Sequence, residues 1–150
     1  MRAVLQRVTE ASVTVDDEVI GRIGNGLVVL VGIAVGDTIK DVQYLAQKTA
    51  GLRIFTDSEG KFNLSVQDIT GEILVISQFT LLADAKKGRR PSFTDAAPPG
   101  QAEDLFNRFV YEVRTTGLKV ETGRFQTHML VEIHNAGPVT IILDSKDKIL

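Results

Sequence analysis

Leu27-Val28-Val29-Leu30-Val31 is an uninterrupted apolar run of strand-forming residues, and it decides the fold class. A strand with one solvated face alternates apolar and polar residues, whereas a strand buried on both faces does not. We therefore predict that this run is a central strand of a sheet that is covered on both sides. Gly24-Asn25-Gly26, which precedes the run, is typical of a turn.

The residues before this run predict a hairpin and one more strand. In Ala11–Val15, apolar and hydroxyl side chains alternate, and this period of two indicates a half-buried strand. Asp16-Asp17 forms a turn, after which Val19–Ile23 returns as the hairpin partner. Val4–Val8 is predicted as a separate strand at the start of the chain.

Two segments have the spacing of amphipathic helices. The first begins at Asp37-Thr38, where Thr38 and Asp41 have the spacing of a capping box, and it ends at Gly51. Its repeating positions are Ile39, Val42, Leu45, Ala46 and Thr49. The second helix ends at Gly117, and its apolar positions are Ala102, Leu105, Phe106, Phe109, Val110 and Val113.

The remaining pattern completes the prediction of the fold. Residues 83–100 have little periodicity and several Gly and Pro residues, so we expect a long loop, a kind that is usually functional or mobile. The two helices do not alternate with strands as repeated βαβ units require. We predict an α+β fold, a single domain over residues 1–150 with a barrel-like, mostly antiparallel sheet and two packed helices. Further strands are predicted at Arg53–Phe55, Glu72–Gln78, Leu118–Glu121, His128–His134 and Val139–Asp144.

The composition limits the location and the partners. A net charge of -2 argues against a protein that coats nucleic acid non-specifically. Because cysteine is absent, there is no disulfide, no thiolate nucleophile and no cysteine–metal site. The longest apolar stretch, residues 27–35, is far shorter than the roughly 20 residues of a membrane helix, so we expect a soluble cytoplasmic protein. No phosphate-loop, dinucleotide or metal-site motif is present, and neither a cofactor nor a catalytic metal is expected.

The segment Ser77-Gln78-Phe79-Thr80 lies where a predicted buried strand gives way to a loop. Backbone N–H groups that leave a sheet can point at a ligand and stabilise negative charge on a carbonyl oxygen during ester hydrolysis. Ser77 and Thr80 add hydroxyls, and Gln78 adds an amide. The same residue types are common at ordinary strand ends, where Phe79 would belong to the core.

A hydroxyl nucleophile in this segment would need a nearby base. The histidines His128 and His134 are predicted to share a face of one strand, but nothing in the sequence brings either of them to Ser77 or Thr80. No Gly-x-Ser-x-Gly elbow surrounds Ser77, which argues against a catalytic triad.

A second segment, Gly137-Pro138-Val139-Thr140, follows Asn135-Ala136 between two predicted strands. Proline fixes its own φ and has no N–H, so it makes the backbone stiff here. From the residues alone, an ordinary trans turn is the expected arrangement.

The two segments resemble the signature motifs of the D-aminoacyl-tRNA deacylase (D-tyrosyl-tRNA deacylase) family. The resemblance includes Gln6-Arg7-Val8, Leu52-Arg53-Ile54-Phe55 and Lys87-Gly88-Arg89-Arg90-Pro91, and thus nearly the whole chain. The chain departs from the family at Gln126-Thr127-His128, where Gly-Ala usually precedes the methionine, and at Ala136, where Asp or Asn is common.

The resemblance implies a two-fold homodimer that hydrolyses the ester joining a D-amino acid, or mischarged glycine, to the 3′ end of tRNA. It assigns catalysis to Ser77, Gln78, Phe79 and Thr80, without an essential side-chain nucleophile. The N–H groups of Phe79 and Thr80 would bind the ester carbonyl, and the terminal ribose 2′-hydroxyl would help to activate water. No membrane and no DNA partner is expected.

The resemblance also implies a cis Gly137-Pro138 bond that reaches into the active site of the other subunit. A rigid backbone wall beside the substrate Cα admits a hydrogen and excludes a side chain, so L-aminoacyl groups would be rejected. Arg7 is a candidate to hold the Gly-Pro carbonyls. The rest of the implied substrate-binding set is Val139, Thr140, Phe125 and Met129.

The loop after the first signature segment carries a cluster of cations, Lys86, Lys87, Arg89 and Arg90. Such a cluster suits phosphate groups, although from charge alone a solvated flexible loop is the favoured interpretation. With the resemblance, we expect contacts to the acceptor end of tRNA, which position the substrate without reading its sequence.

Two other functions stay open at this point. One is an RNA-binding module of this fold that has lost hydrolysis, and the intact signature segments argue against it. The other is a small-molecule esterase that uses Ser77 or Thr80 with His134. Such an esterase should cleave free amino-acid esters as readily as charged tRNA.

Overall fold

The computed structural model describes residues 1–148; residues 149 and 150, which the predicted domain includes, lie outside this range. The helices are α1 (Ile39–Gly51) and α2 (Pro99–Arg114). Short 3-10 turns at Phe79–Leu82 and Ser145–Asp147 follow two of the strands. The strands are β1 (Arg2–Val15), β2 (Glu18–Ile23), β3 (Gly26–Gly32), β4 (Phe55–Thr56), β5 (Phe62–Leu64), β6 (Glu72–Ser77), β7 (Lys119–Thr122) and β8 (Leu130–Asp144).

The long strand β1 organises the main sheet because three strands pair with it. Its second half pairs antiparallel with β2, its first half pairs antiparallel with β3, and β8 lies antiparallel along its other edge. Beyond β3 the order continues through β6 to β7, and both of these pairings are parallel. The result is a nearly closed mixed barrel in which β2 reaches β7. A Cβ on Gly21 would lie 3.2 Å from the Thr122 carbonyl oxygen.

The predicted α+β class is confirmed, but the parallel part of the sheet was not predicted. Parallel neighbours need a crossover connection, and here the connections from β3 to β6 and from β6 to β7 contain α1 and α2. The shared register of the central strands brings the carboxyl end of β6, at Ser77, beside Val31 of β3. This edge is where the candidate site forms.

The central apolar run is buried on both faces, as predicted. Leu27, Val29 and Val31 belong to a cluster that includes residues of both helices, such as Leu45 and Phe109. The alternate face, at Val28, belongs to a second cluster inside the barrel, with Val8, Ala11, Val13, Ile23, Leu74 and Ile76. Both faces of the strand therefore exclude water.

Four predicted strands merge into two longer ones. Val4–Val8 and Ala11–Val15 are parts of β1, because bulges absorb the irregular register between Gln6 and Glu10. Similarly, β8 runs through the Gly-Pro segment as one strand. The strand predicted at Arg53–Phe55 is shifted to β4, whose partner β5 was not predicted.

The first residues of both helices are explained by capping and by proline. In α1, the Thr38 N–H donates to Asp41 Oδ2 at 2.8 Å, which confirms the capping interaction. The second helix begins at Pro99, within the predicted loop, because proline is tolerated in a first helical turn. Within residues 1–148, no helix is long and apolar enough to cross a membrane.

Candidate active site

A cavity of about 680 Å³ opens at the carboxyl end of β6. The first signature segment forms one side of it, and the segment from Phe125 to Met129 forms another. The long loop before α2 contributes a third side through Phe93 and residues 96–98, and Pro99, the first residue of α2, adjoins them. The cavity therefore brings together six of the predicted site residues: Ser77, Gln78, Phe79, Thr80, Phe125 and Met129.

The turn at residues 79–82 exposes two backbone donors. The Gln78 N–H donates to the Val31 carbonyl at 2.8 Å, and this bond is the last link between the segment and β3. In the 3-10 turn that follows, the N–H groups of Phe79 and Thr80 find no acceptor within residues 1–148. Unpaired first-turn N–H groups are expected at a helical N-terminus and are suited to an anionic oxygen.

Gly32 explains why this turn lies close against the sheet. A Cβ at position 32 would overlap the Leu82 side chain and would lie 3.0 Å from the Gln78 carbonyl oxygen. Only glycine leaves room for the turn to pack on the end of β3. The position of the two unpaired donors thus depends on a residue that does not itself line the cavity.

Two of the three polar side chains of the segment, those of Gln78 and Thr80, are hydrogen-bonded to each other. Gln78 Nε2 donates to Thr80 Oγ1 at 2.5 Å, and neither the Ser77 nor the Thr80 hydroxyl bonds to a histidine in the described chain. The arrangement therefore lacks the nucleophile–base pair that a triad requires.

The prediction that His128 and His134 share a face of one strand is wrong. Strand β8 begins at Leu130, because Gln126 has a positive φ of 57° and the Thr127 hydroxyl donates to the Arg124 carbonyl, so a turn precedes the strand. His128 is on the cavity lining, whereas His134 lies outside it, with Nδ1 3.1 Å from Glu10 Oε1.

Two aromatic side chains form the rim of the cavity. The rings of Phe79 and Phe93 are 5.1 Å apart in an edge-to-face arrangement, and Phe79 stays 57% exposed. The sequence left open that Phe79 belongs to the core. Its exposure shows that it does not. Phe93 was not predicted, although a single large aromatic in a polar loop was a usable signal.

The basic loop is closed at its base and adjoins this rim. Asp84 and Ser92 exchange two backbone hydrogen bonds of 2.8 Å each, so residues 85–91 project as one loop between the 79–82 turn and Phe93. Its four cations are exposed, and none has an ion-pair partner among the described residues: Lys86, Lys87, Arg89 and Arg90.

The second signature segment is a bulge that lies outside the cavity of its own chain. Between the pairs Gln6–Thr140 and Val8–Asn135, residues 136–139 of β8 stand opposite the single residue Arg7. The Gly137-Pro138 bond is cis, as the resemblance implies, and both residues are exposed. Neither residue lines the cavity of the same chain.

Asn135 closes the base of the bulge. Its Oδ1 accepts the Val139 N–H at 2.8 Å, and its Nδ2 donates to the Thr140 hydroxyl at 3.1 Å. Val139 is buried and Thr140 is exposed, and neither residue lines the cavity of the same chain. The hydrogen bonds that brace the bulge are made by Asn135, so the departure from the family at Ala136 does not affect them.

Arg7 binds a backbone carbonyl one residue earlier in the chain than predicted. Its Nε donates to the Ala136 carbonyl at 2.8 Å and not to the carbonyls of Gly137 or Pro138. The register between β1 and β8 explains the difference, because Arg7 stands next to the pair Val8–Asn135, where the bulge begins. A Cβ on Gly137, whose φ is +137°, would lie 3.0 Å from Arg7 Nη2, so glycine also makes room for the guanidinium.

Known proteins resemble this chain in sequence and in fold. The family model for D-Tyr-tRNA(Tyr) deacylase matches residues 4–144. The chain belongs to this family. A D-aminoacyl-tRNA deacylase from Dehalococcoides mccartyi is 57% identical over 149 residues, which cover 99% of this chain and 97% of that protein.

Two solved structures share the fold of this D-Tyr-tRNA(Tyr) deacylase family member. One, titled c-Myc DNA Unwinding Element Binding Protein, has a TM-score of 0.90 and 46% identity, and covers 96% of this chain and 98% of its own. The other, titled Structural Analysis of a probable eukaryotic D-amino acid tRNA deacylase, has a TM-score of 0.82 and covers 95% and 97%. At 20% identity, the second likeness concerns the fold alone.

Proposed function

We propose that this protein hydrolyses the ester bond between a D-amino acid and the terminal ribose of tRNA, and that the unpaired N–H groups of Phe79 and Thr80 stabilise the reacting carbonyl. Membership of the deacylase family supports an ester hydrolase. The observation that carries the proposal is the pair of backbone donors beside a cavity large enough for an amino-acid side chain and part of a nucleoside.

The chemistry needs no side-chain nucleophile. Water attacks the ester carbonyl, negative charge develops on its oxygen, and the two N–H groups stabilise that charge. The neighbouring ribose 2′-hydroxyl helps to activate the water, and the 3′-oxygen leaves with a proton. The bonding of the Thr80 hydroxyl to Gln78, with no histidine partner, supports this division of roles.

Selection against L-amino acids is assigned to the Gly137-Pro138 bulge of a second copy in a homodimer. The bulge is accessible at Pro138 and braced by Asn135, and it does not line the cavity of its own chain, so a partner's cavity is a suitable place for it. A backbone wall beside the substrate Cα excludes an L side chain and accepts hydrogen there. Glycine, with two hydrogens at Cα, should be accepted as well.

The tRNA would be held by the basic loop. Its four exposed cations adjoin the cavity rim, where phosphates near the 3′ end would lie when the ester is inside the cavity. Such contacts attract any tRNA, and selection then depends on the aminoacyl group.

The decisive experiment compares D-Tyr-tRNA and L-Tyr-tRNA in parallel with the purified protein. We expect rapid release of D-tyrosine and little release of L-tyrosine. Equal rates would overturn the selection mechanism, and binding of tRNA without release would indicate the RNA-binding module. Equal cleavage of free D-tyrosine methyl ester would favour the small-molecule esterase.

A second substrate tests the role assigned to the ribose. D-Tyr-tRNA that ends in 2′-deoxyadenosine keeps the ester but lacks the 2′-hydroxyl. We expect its hydrolysis to be slower by about a hundredfold or more, the usual range for a lost general acid–base group. An unchanged rate would require a base supplied by the protein.

A further inference from the structure

The two-stranded hairpin β4–β5 lies outside the cavity, yet its residues surround the side chain of Arg7. We infer that this hairpin positions the Gly137-Pro138 bulge, with Phe62 and Thr56 acting on the bulge through Arg7. The inference rests on the proposed function, because it concerns how selection against L-aminoacyl groups is maintained.

The guanidinium of Arg7 is held from several directions. Its Nη1 donates to the Ile54 carbonyl at 3.1 Å and lies 3.3 Å from the Thr56 hydroxyl. The carbon Cζ lies 5.4 Å from the centroid of the Phe62 ring. The Nε group donates to the Ala136 carbonyl, at the base of the bulge. Three of these four interactions thus come from the β4–β5 region, and the fourth connects them to the bulge.

Phe62 has no other evident role in the described part of the fold. Its side chain is 55% exposed, it belongs to neither apolar cluster, and it lies outside the cavity. A large exposed aromatic side chain adds little to a core, but it is well suited to stacking on a guanidinium. Thr56 is its partner across the hairpin, so both residues reach Arg7 together.

The hairpin is itself well ordered by its turn. Asp57 Oδ1 accepts the N–H groups of Glu59 and Lys61 at 2.8 and 3.0 Å, and the Asp57 N–H donates to the Lys61 carbonyl. A defined turn places Phe62 and Thr56 opposite each other at a constant separation. The hairpin can therefore hold the Arg7 side chain in one orientation.

The direction of the effect follows from the arrangement of these groups. If the Phe62 ring is removed, Arg7 gains freedom and the Ala136 carbonyl is held less firmly. The bulge then moves more, and the space beside the substrate Cα is less strictly closed to an L side chain. Hydrolysis of D-aminoacyl-tRNA needs no such closure, so its rate should change little.

The test measures the ratio of D-Tyr-tRNA to L-Tyr-tRNA hydrolysis in single-turnover reactions. For Phe62→Leu we expect this ratio to fall about two- to fivefold, the size expected from an exposed cation–π interaction. Thr56→Val combined with Phe62→Leu should lower it further, whereas Phe62→Tyr, which keeps the ring, should retain the wild-type ratio. The melting temperature of each variant reports on folding.

The chain offers a matched control in α2. There, Arg108 Cζ lies 5.4 Å from the centroid of the Tyr111 ring, which is 59% exposed, and neither residue lies at the bulge or the cavity. Tyr111→Leu removes the same kind of interaction at the same distance. Its selectivity should equal that of the wild type.

The outcomes separate the inference from the proposed function. A wild-type protein that discriminates, with Phe62→Leu and the double variant discriminating equally well, would overturn the role of the hairpin and leave the proposed function intact. Equal loss of D and L hydrolysis would also overturn it, since that indicates general damage. A wild-type protein that cleaves both substrates equally would overturn both.

Discussion

Arg2 Nη1 donates to the Leu81 backbone carbonyl at 3.0 Å, while its Nε lies 3.2 Å from Asp144 Oδ2. The first turn after β6, which carries the two proposed carbonyl-binding donors, is thus supported from behind by a side chain at the start of β1. Asp144 in turn stays ionised. Burial opposes this, but the Lys146 N–H and Arg2 hold the pKa of its carboxyl below the usual value.

Arg2→Met should therefore slow the chemical step. We expect the single-turnover rate for D-Tyr-tRNA to fall about tenfold, because a charged hydrogen bond to the turn is removed, while tRNA affinity stays nearly constant. Arg22→Met, on the exposed part of β2, is the control. An unchanged rate, or a change confined to affinity, would contradict a supporting role for Arg2.

Gly32→Ala should destabilise the protein and displace the turn. The added methyl group would overlap Leu82, and such overpacking costs about 1–3 kcal/mol of unfolding free energy. Urea denaturation measures this directly. Gly51→Ala is the matched control, because a Cβ there meets nothing within 4 Å and position 51 ends α1. Equal stability for Gly32→Ala and the wild type would disprove the close approach.

Thr80→Ala should keep substantial deacylation activity. Its hydroxyl accepts from Gln78, and the proposed mechanism uses the backbone N–H, which alanine retains. Single-turnover rates of Thr80→Ala and Thr80→Ser, compared with the wild type, decide the point. A decrease of more than about a thousandfold in the alanine variant alone, roughly 4 kcal/mol of barrier, would make the hydroxyl a chemical participant.

Reversal of two charges in the basic loop should weaken tRNA binding. With Lys87→Glu and Arg89→Glu together, the slope of log affinity against log salt should decrease by about 0.7–0.9 for each phosphate that the loop no longer neutralises. Binding titrations at several salt concentrations measure the slope. Lys40→Glu with Arg22→Glu makes the same change in net charge at exposed sites elsewhere. If both pairs reduce the slope equally, the loop has no special role.

Asp41 should make the protein sensitive to acid. Burial opposes ionisation of its carboxyl, but hydrogen bonds from Lys148, Thr38 and Ser145 outweigh it and hold the pKa well below the usual range. A carboxyl with a lowered folded-state pKa adds stability that is complete above its unfolded pKa of about 3.9 and is lost as the pH falls from there through the folded-state pKa.

Asp41→Asn tests this. At pH 7 the variant should be less stable by about 1–2 kcal/mol, because the capping interaction and the Lys148 pair are weakened. Below about pH 4, its stability should decline less steeply with pH than that of the wild type. Urea unfolding at pH 7, 4 and 3 measures both effects. Asp17→Asn, in the exposed β1–β2 turn, should reproduce the wild-type profile.

The site shows where prediction from residues succeeds. Ser77 to Thr80 were recognisable through the resemblance to the deacylase family, because hydroxyl and amide side chains alone are common at ordinary strand ends. The structure places these residues on the cavity with Phe125 and Met129. Phe93, Asn135 and Phe62 were not predicted. Their contacts with Phe79, Val139 and Arg7 join segments that are distant in sequence or loops without periodicity, and the local pattern contains no information about such partners.

The local sequence by itself determined the buried central strand, both helices and the two signature segments, because burial, capping and backbone restriction depend on neighbouring residues. Only the tertiary structure decided that β8 is one strand, that Arg7 binds the Ala136 carbonyl, and that the Gly-Pro bulge lies outside the cavity of its own chain. These features depend on the register between β1 and β8, which lie at opposite ends of the chain. Register is a property of the paired sheet, since a shift of one residue would turn every side chain to the opposite face.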